Sequence, residues 1–190
     1  MLVVCASSMA LACGPVTPHA TQPAATAPAA LAVAVTPQDQ GALPEGQCDV
    51  ATFLAQLGGK CALVDAGRVS GSGEAVEAKT ASDHDACSVW NSGGMPPQTI
   101  NIDLGSVRSL SGLLLVPDMT PPDGDATHVV EYIDDQGVIQ PLVTASAHMT
   151  SAHGYEVAFP KTMSLRYLRV TTTKSNAWVA WREVGPMLCQ

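Results

Sequence analysis

The sequence predicts an all-β domain of the sandwich or jelly-roll type, and three observations carry that reading. The run 99–104 alternates polar and apolar side chains, as a strand with one buried face must. Beyond residue 61, short runs rich in β-branched residues recur between clusters of Gly, Pro, Asp and Asn. Helical periodicity is confined to one short stretch upstream of them.

The chain opens with an almost wholly apolar run, 1–12, far shorter than the ~20 residues a spanning helix needs. It reads as the hydrophobic part of a signal peptide. Ala10-Leu11-Ala12 offers the small-x-small pattern of a cleavage site, and Cys13-Gly14 follows, which resembles a bacterial lipobox. Cys13 is then the expected lipidation site, and the chain is expected to be exported and held at a membrane only through that lipid. Two features depart from the motif: Leu11 stands one place later than the usual Leu, and no Lys or Arg precedes the apolar run. Simple cleavage to a secreted or periplasmic protein is the alternative. From Cys13 to Glu45 the chain is mostly Ala, Pro, Thr and Gln, with Pro15, Pro18, Pro23, Pro28 and Pro37. Such a segment is poor in large apolar groups and reads as an extended tether.

Residues 46–61 form a short lead-in. Val50, Phe53, Leu54 and Leu57 fall at helical spacing after the cap candidate Asp49, and Gly58-Gly59 supplies a stop. The folded domain is expected over 62–190. Its strand candidates are 99–104, 110–116, 128–133, 138–143, 155–159, 165–172 and 177–184. Pro121-Pro122-Asp123-Gly124 and Asp134-Asp135-Gln136-Gly137 are the clearest turns between them.

Charge and cysteine usage exclude several functions. Nine Lys and Arg against 17 Asp and Glu give a net charge of −8, which lacks the basic footprint that nucleic acid requires. Of six cysteines, Cys5 falls in the signal and Cys13 at the anchor, leaving Cys48, Cys61, Cys87 and Cys189 for two disulfides, with three pairings open. None of the four stands in a CxxC or metal-ligand pattern. No GxSxG, HExxH or phosphate loop is present, and His148 and His153 lie five apart, which places them on different faces of a helix or strand. Asp134-Asp135 and the pair Asp123 and Asp125 read as turn formers. An enzyme is not expected.

Four segments occur together in order: Trp90 with Asn91-Ser92-Gly93-Gly94, the run 97–105 ending in Asp103-Leu104-Gly105, the run 111–117 ending in Val116-Pro117, and the run 165–170 reading LRYLRV. They resemble the discoidin, or coagulation-factor type C, domain of the galactose-binding-like superfamily over about residues 69–184. The resemblance implies a discoidin-type jelly-roll β-sandwich that binds carbohydrate or a cell-surface ligand, with a protein–protein adhesion module as the alternative. It also implies that Cys189 pairs with Cys48 or Cys61. In the family, a loop similar to Asp83–Trp90 holds a cation, so the resemblance assigns Asp83, Asp85, Ser88 and a returning Glu183 to a structural calcium site. Carboxylate and hydroxyl oxygens are the donors that ion takes. His84, where the family commonly has Gly, and Cys87 within the loop are departures.

Family ligand loops point to Trp178 and Asn176 as first ligand contacts, with Glu74 and Asn91 near two further positions. Asp118 stands where sugar-binding members often carry Arg, which separates this site from a galactose-type one. Trp90 and Trp181 lie in strand-like context and are expected in the core.

Overall fold

The computed structural model describes residues 32–73 and 75–190. Ten strands are present among them: β1 Val33–Val35, β2 Gln38–Ala42, β3 Cys61–Leu63, β4 Arg68–Gly71, β5 Trp90–Asn91, β6 Gln98–Asp118, β7 Asp123–Ile133, β8 Ile139–Thr150, β9 His153–Lys174 and β10 Ala180–Cys189. One α-helix, α1 Ala51–Gln56, and a 3-10 helix, Ala75–Ser82, complete the set. No helix among the described residues is long and apolar enough to cross a membrane.

The strands form one curled sheet in the order β1-β8-β7-β9-β6-β10-β3, with β2 beside β9, β4 beside β6 and β5 beside β10. Curling makes this sheet a sandwich, because β6 and β9 each serve both layers. Their N- and C-terminal halves pair antiparallel on either side of irregularities, where β6 carries extra residues between Asp103 and Arg108 and β9 between Ala158 and Met163. Bulges of this kind bend a strand and let it change layers. The strand candidates 99–104 and 110–116 are therefore two halves of β6, and 155–159 and 165–172 two halves of β9.

Alternation decides what enters the core. Ile100, Ile102 and Leu104 are buried, as their period of two requires. The continuous run Leu113–Val116 departs from that period because both of its faces are covered. Leu113 and Leu115 join the main core, whereas Leu114 and Val116 pack with Val50, Phe53 and Leu54 around α1. Helix α1 lies close against the sheet, since a Cβ at Gly154 would sit 2.5 Å from the Phe53 ring. Asp49 Oδ1 accepts the Ala51 N–H at 2.8 Å ahead of α1, and Gly58 and Gly59 end the turn at φ +75° and +66°.

Two disulfides close the body, Cys48–Cys87 and Cys61–Cys189. The second is one of the two pairings the resemblance implies for Cys189. It joins the facing residues Cys61 and Cys189 of β3 and β10 and so fixes the C-terminal strand to the start of the domain.

The tether reading is corrected from residue 32 onward. Residues within the expected 13–45 linker form β1, parallel to β8, and β2, antiparallel to β9. Val35 packs against the main core and Leu43 against the α1 cluster, with Pro37 buried between them. The pattern hid this because β2 is QDQGA, a segment whose order comes from its partner strand rather than from its own side chains. Cys13 and the apolar run 1–12 lie outside the described residues. Deleting 32–45 should therefore lower the melting temperature by several degrees, at roughly 2–4 °C per kcal/mol for a domain of this size; an unchanged transition by calorimetry would restore the tether reading.

Candidate functional site

The register of three adjacent strands builds a depression on the outer face at one end of the sandwich. Ala180 of β10 faces Asn91 of β5 on one side and Asp118 of β6 on the other. Residues facing each other across antiparallel strands project to the same side. Asn91, Ala180 and Asp118 thus form a row, with the small Ala180 as its floor. One position along, Trp90, Trp181 and Pro117 form the next row. There Trp90 and Trp181 turn inward and are fully buried in the core, as expected.

The same alternation sets Trp178. Ala177 and Val179 are buried and Trp178 between them is 56% exposed. Two backbone bonds pin this segment, Ser92 N–H to Val179 O and Val179 N–H to Gly94 O, both at 3.0 Å. Asn91, Asp118, Thr120, Trp178 and Ala180 together line an open depression of about 340 Å3.

The polar groups in it are oriented. Asn91 Oδ1 accepts the Gly93 N–H at 2.8 Å, which leaves the amide NH2 to face outward. Asp118 Oδ1 accepts both Nε and Nη2 of Arg182, at 3.0 and 2.7 Å, while Arg182 Nη1 donates to Ala86 O at 3.0 Å. Arg182 occupies a bulge in β10, where the register shifts between Trp181 and Glu183.

Asn176 has a different place from Trp178. Its amide donates to Asp123 O at 2.9 Å and packs over Gly124, where a Cβ would come within 2.1 Å of it. It fastens the start of β7 and does not line the depression. Glu74 lies outside the described residues. Thr120 and Arg182 were missed by sequence reasoning; the small-residue row across β5, β10 and β6 becomes visible only once the strand pairing is known.

The acidic loop gathers the second set. Ser88 Oγ lies 3.0 Å from Thr80 O, 3.0 Å from Asp85 O, and 3.1 and 3.0 Å from Asp83 Oδ1 and Oδ2. A hydroxyl carries one proton, so it satisfies one of these four acceptors at a time. Glu183 is fully buried and arrives from β10, its Oε2 accepting the His84 N–H at 2.9 Å. Its Oε1 has no partner among the described residues. Burial first, then the charges of Asp83 and Asp85, push the Glu183 carboxyl up to about 8 against the opposing hydrogen bond from His84. His84 takes φ +66°, the left-handed conformation that explains why Gly is common there. Cys87 is held in its disulfide with Cys48, so neither sulfur is a thiolate ligand beside Asp85.

A buried imidazole lies below the depression. His128 Nδ1 is 3.1 Å from Thr172 Oγ1, Nε2 is 3.3 Å from Met149 Sδ, and the ring is 5.0 Å from that of Trp181. Burial pulls its pKa down to about 4.

The F5/8 type C domain model matches residues 65–184, and the chain belongs to that family. Solved structures with the same fold include the CBM32 of AlyQ in complex with 4,5-unsaturated mannuronic acid, at 17% identity and a TM-score of 0.56 over 66% of this chain and 97% of that one. The family 32 module of C. perfringens NanJ in complex with galactose matches at 16% identity and a TM-score of 0.55, over 64% and 93% of the two chains. A chitosan-binding module from a Paenibacillus chitosanase/glucanase matches at 16% identity and a TM-score of 0.53, over 66% and 98%. SpGH29 is also similar, at 21% identity and a TM-score of 0.56, but the 67% of this chain that aligns spans only 28% of it. No curated protein sequence matches this chain.

His128 gives the site a pH signature. Its folded pKa of about 4 lies below the ordinary 6.5, so its neutral form is favoured by folding. The associated stability is complete above about pH 6.5 and is lost as the pH falls through 4, on the order of 3 kcal/mol if the whole shift is realised. Thermal melts across that window should show a steeper acid loss for wild type than for His128→Gln; parallel curves would show that His128 does not titrate there.

Proposed function

We propose that this chain is an exported, non-catalytic carbohydrate-binding module that recognises carbohydrate or cell-surface glycans and is held at a membrane by a lipid on Cys13. The observation that supports it best is exposed Trp178 beside Asn91 and Asp118 on an F5/8 type C fold. An aromatic face packs against the apolar face of a pyranose, while an amide and a carboxylate take its hydroxyls. Structural neighbours named for galactose, mannuronic acid and chitosan support the class of ligand and not its identity. Two disulfides suit an oxidising compartment and agree with an apolar leader ending before Cys13.

The acidic loop is proposed as a structural calcium site formed by Asp83, Asp85, Ser88 and Glu183 with the carbonyl of Thr80. The crowded oxygens around Ser88 Oγ and the unpartnered Oε1 of buried Glu183 support this reading, since a hard cation takes such donors together. When bound, the ion would offset the carboxylate charge in the loop and fasten it to β10.

Two measurements test these readings. On a glycan array, the full chain should bind at least one glycan class, and Trp178→Ala should abolish that signal while leaving the melting temperature unchanged. A protein partner captured with no glycan signal from either form would instead favour an adhesion module. For the cation, stability should rise with free calcium by about 2.7 kcal/mol at ~100-fold above the dissociation constant. Glu183→Gln should remain folded, keep an acceptor for the His84 N–H, and lose most of that gain. Identical calorimetric transitions with and without chelator would remove the calcium reading.

A further inference from the structure

We infer that the depression at Trp178 selects sugars carrying a free, protonated amino group over N-acetylated or acidic ones, an inference that rests on the carbohydrate-binding reading above. The argument starts from the two oxygens of Asp118. Both bonds from Arg182 fall on Oδ1, and Oδ2 has no hydrogen-bond partner among the described residues. The side chain is 32% exposed and lines the depression, so a ligand there reaches a carboxylate only partly shielded from water. Arg182 itself does not line that space, although Asp118 does. The ligand therefore meets a carboxylate with one oxygen left without a protein partner among the described residues, whose guanidinium partner is not among the lining residues.

The other lining groups sharpen this choice. Asn91 keeps an amide NH2 with no partner among the described residues, its oxygen accepting from Gly93 N–H, and Thr120 adds an exposed hydroxyl. Neither carries charge. Trp178 offers a ring face that attracts a cation lying over it. Hence the depression holds one anionic acceptor, one aromatic platform and no cation among its lining residues. A carboxylated sugar would bring like charge towards Asp118, in a protein whose net charge is already −8. A neutral hydroxyl would satisfy Oδ2 with an ordinary hydrogen bond. An ammonium would satisfy it with a charge-assisted one, which is the stronger of the two. The floor is Ala180, so a ring substituent next to Asp118 meets a methyl rather than a bulky side chain.

The test is calorimetric titration of the full chain with three tetrasaccharides of one length: β-1,4-linked glucosamine, its N-acetylated form, and galacturonic acid. At a pH where the amine is protonated, the glucosamine oligomer should bind about tenfold more tightly than the N-acetylated one, the margin of a charge-assisted over a neutral hydrogen bond. Its affinity should fall with added salt, while that of the N-acetylated oligomer stays level. Asp118→Asn should erase the preference but keep neutral-sugar binding. Because that substitution loosens Arg182, the salt dependence of the unmodified protein serves as an independent readout. Equal or tighter binding of the N-acetylated or acidic oligomer, with no salt dependence, would overturn the amino-sugar inference and leave the carbohydrate reading standing. If none of the three binds, and no other glycan binds in a Trp178-dependent way, both readings fall together.

Discussion

Strand β10 fixes where almost every group of interest points. At Ala180 and Trp181 it is paired on both sides, with β5 and with β6, and a β register is quantised in steps that move a side chain from one face to the other. That double pairing puts Trp181 into the core beside Trp90 and turns Ala180 to the opposite face, covered between Asn91 and Asp118. The far end of the strand is held as firmly, by β3 and the Cys61–Cys189 bridge. A slip of one residue would turn Ala180 into the core and Trp181 out of it, so the main core and the depression share one constraint.

The bulge at Arg182 uses that rigid strand for two further purposes. It releases Arg182 to hold Asp118 and Ala86 O, and the next residue, Glu183, is driven into the interior against the acidic loop. Burying an ionisable group is costly unless something answers its charge. Arg182 and Asp118 answer each other. Among the described residues Glu183 has only the His84 N–H, and its carboxyl accordingly shifts towards the protonated form. Gly185 makes room for it, since a Cβ there would lie 3.2 Å from Glu183 Oε1.

Much of the fold was legible because alternation and burial are local properties of the chain. The run 99–104, the turn at Asp134–Gly137 and the inward Trp90 and Trp181 followed from period and context. In that turn Asp134 Oδ1 accepts the N–H groups of Gln136 and Val138, as a turn-forming Asp does. The N-terminal strands were not legible. QDQGA carries no strand signal of its own, and its order comes from pairing with residues more than a hundred positions away. The division of β6 and β9 between layers was equally hidden, because a bulge leaves little trace in composition. Within the site, Trp178 stood out as an aromatic in a polar loop. Asn176 stood in the same family ligand loop, but its amide donates to Asp123 O and holds the start of β7, away from the depression. Asp118 was conspicuous as a departure, yet its meaning depended on Arg182, 64 residues later.

That pairing also bears on how the depression and the acidic loop are coupled within one small domain. Arg182 holds one side of the depression through Asp118 and the acidic loop through Ala86 O, and it is covalently next to Glu183. The disulfide Cys48–Cys87 fixes the same loop from the other side. With both restraints in place, the Asp118 carboxylate lining the depression does not have to be ordered by an incoming ligand. Holding a recognition group in position before binding reduces the entropy lost on association, which is where a shallow, open site gains affinity. The loop is therefore part of the depression's support, although none of its side chains lines it.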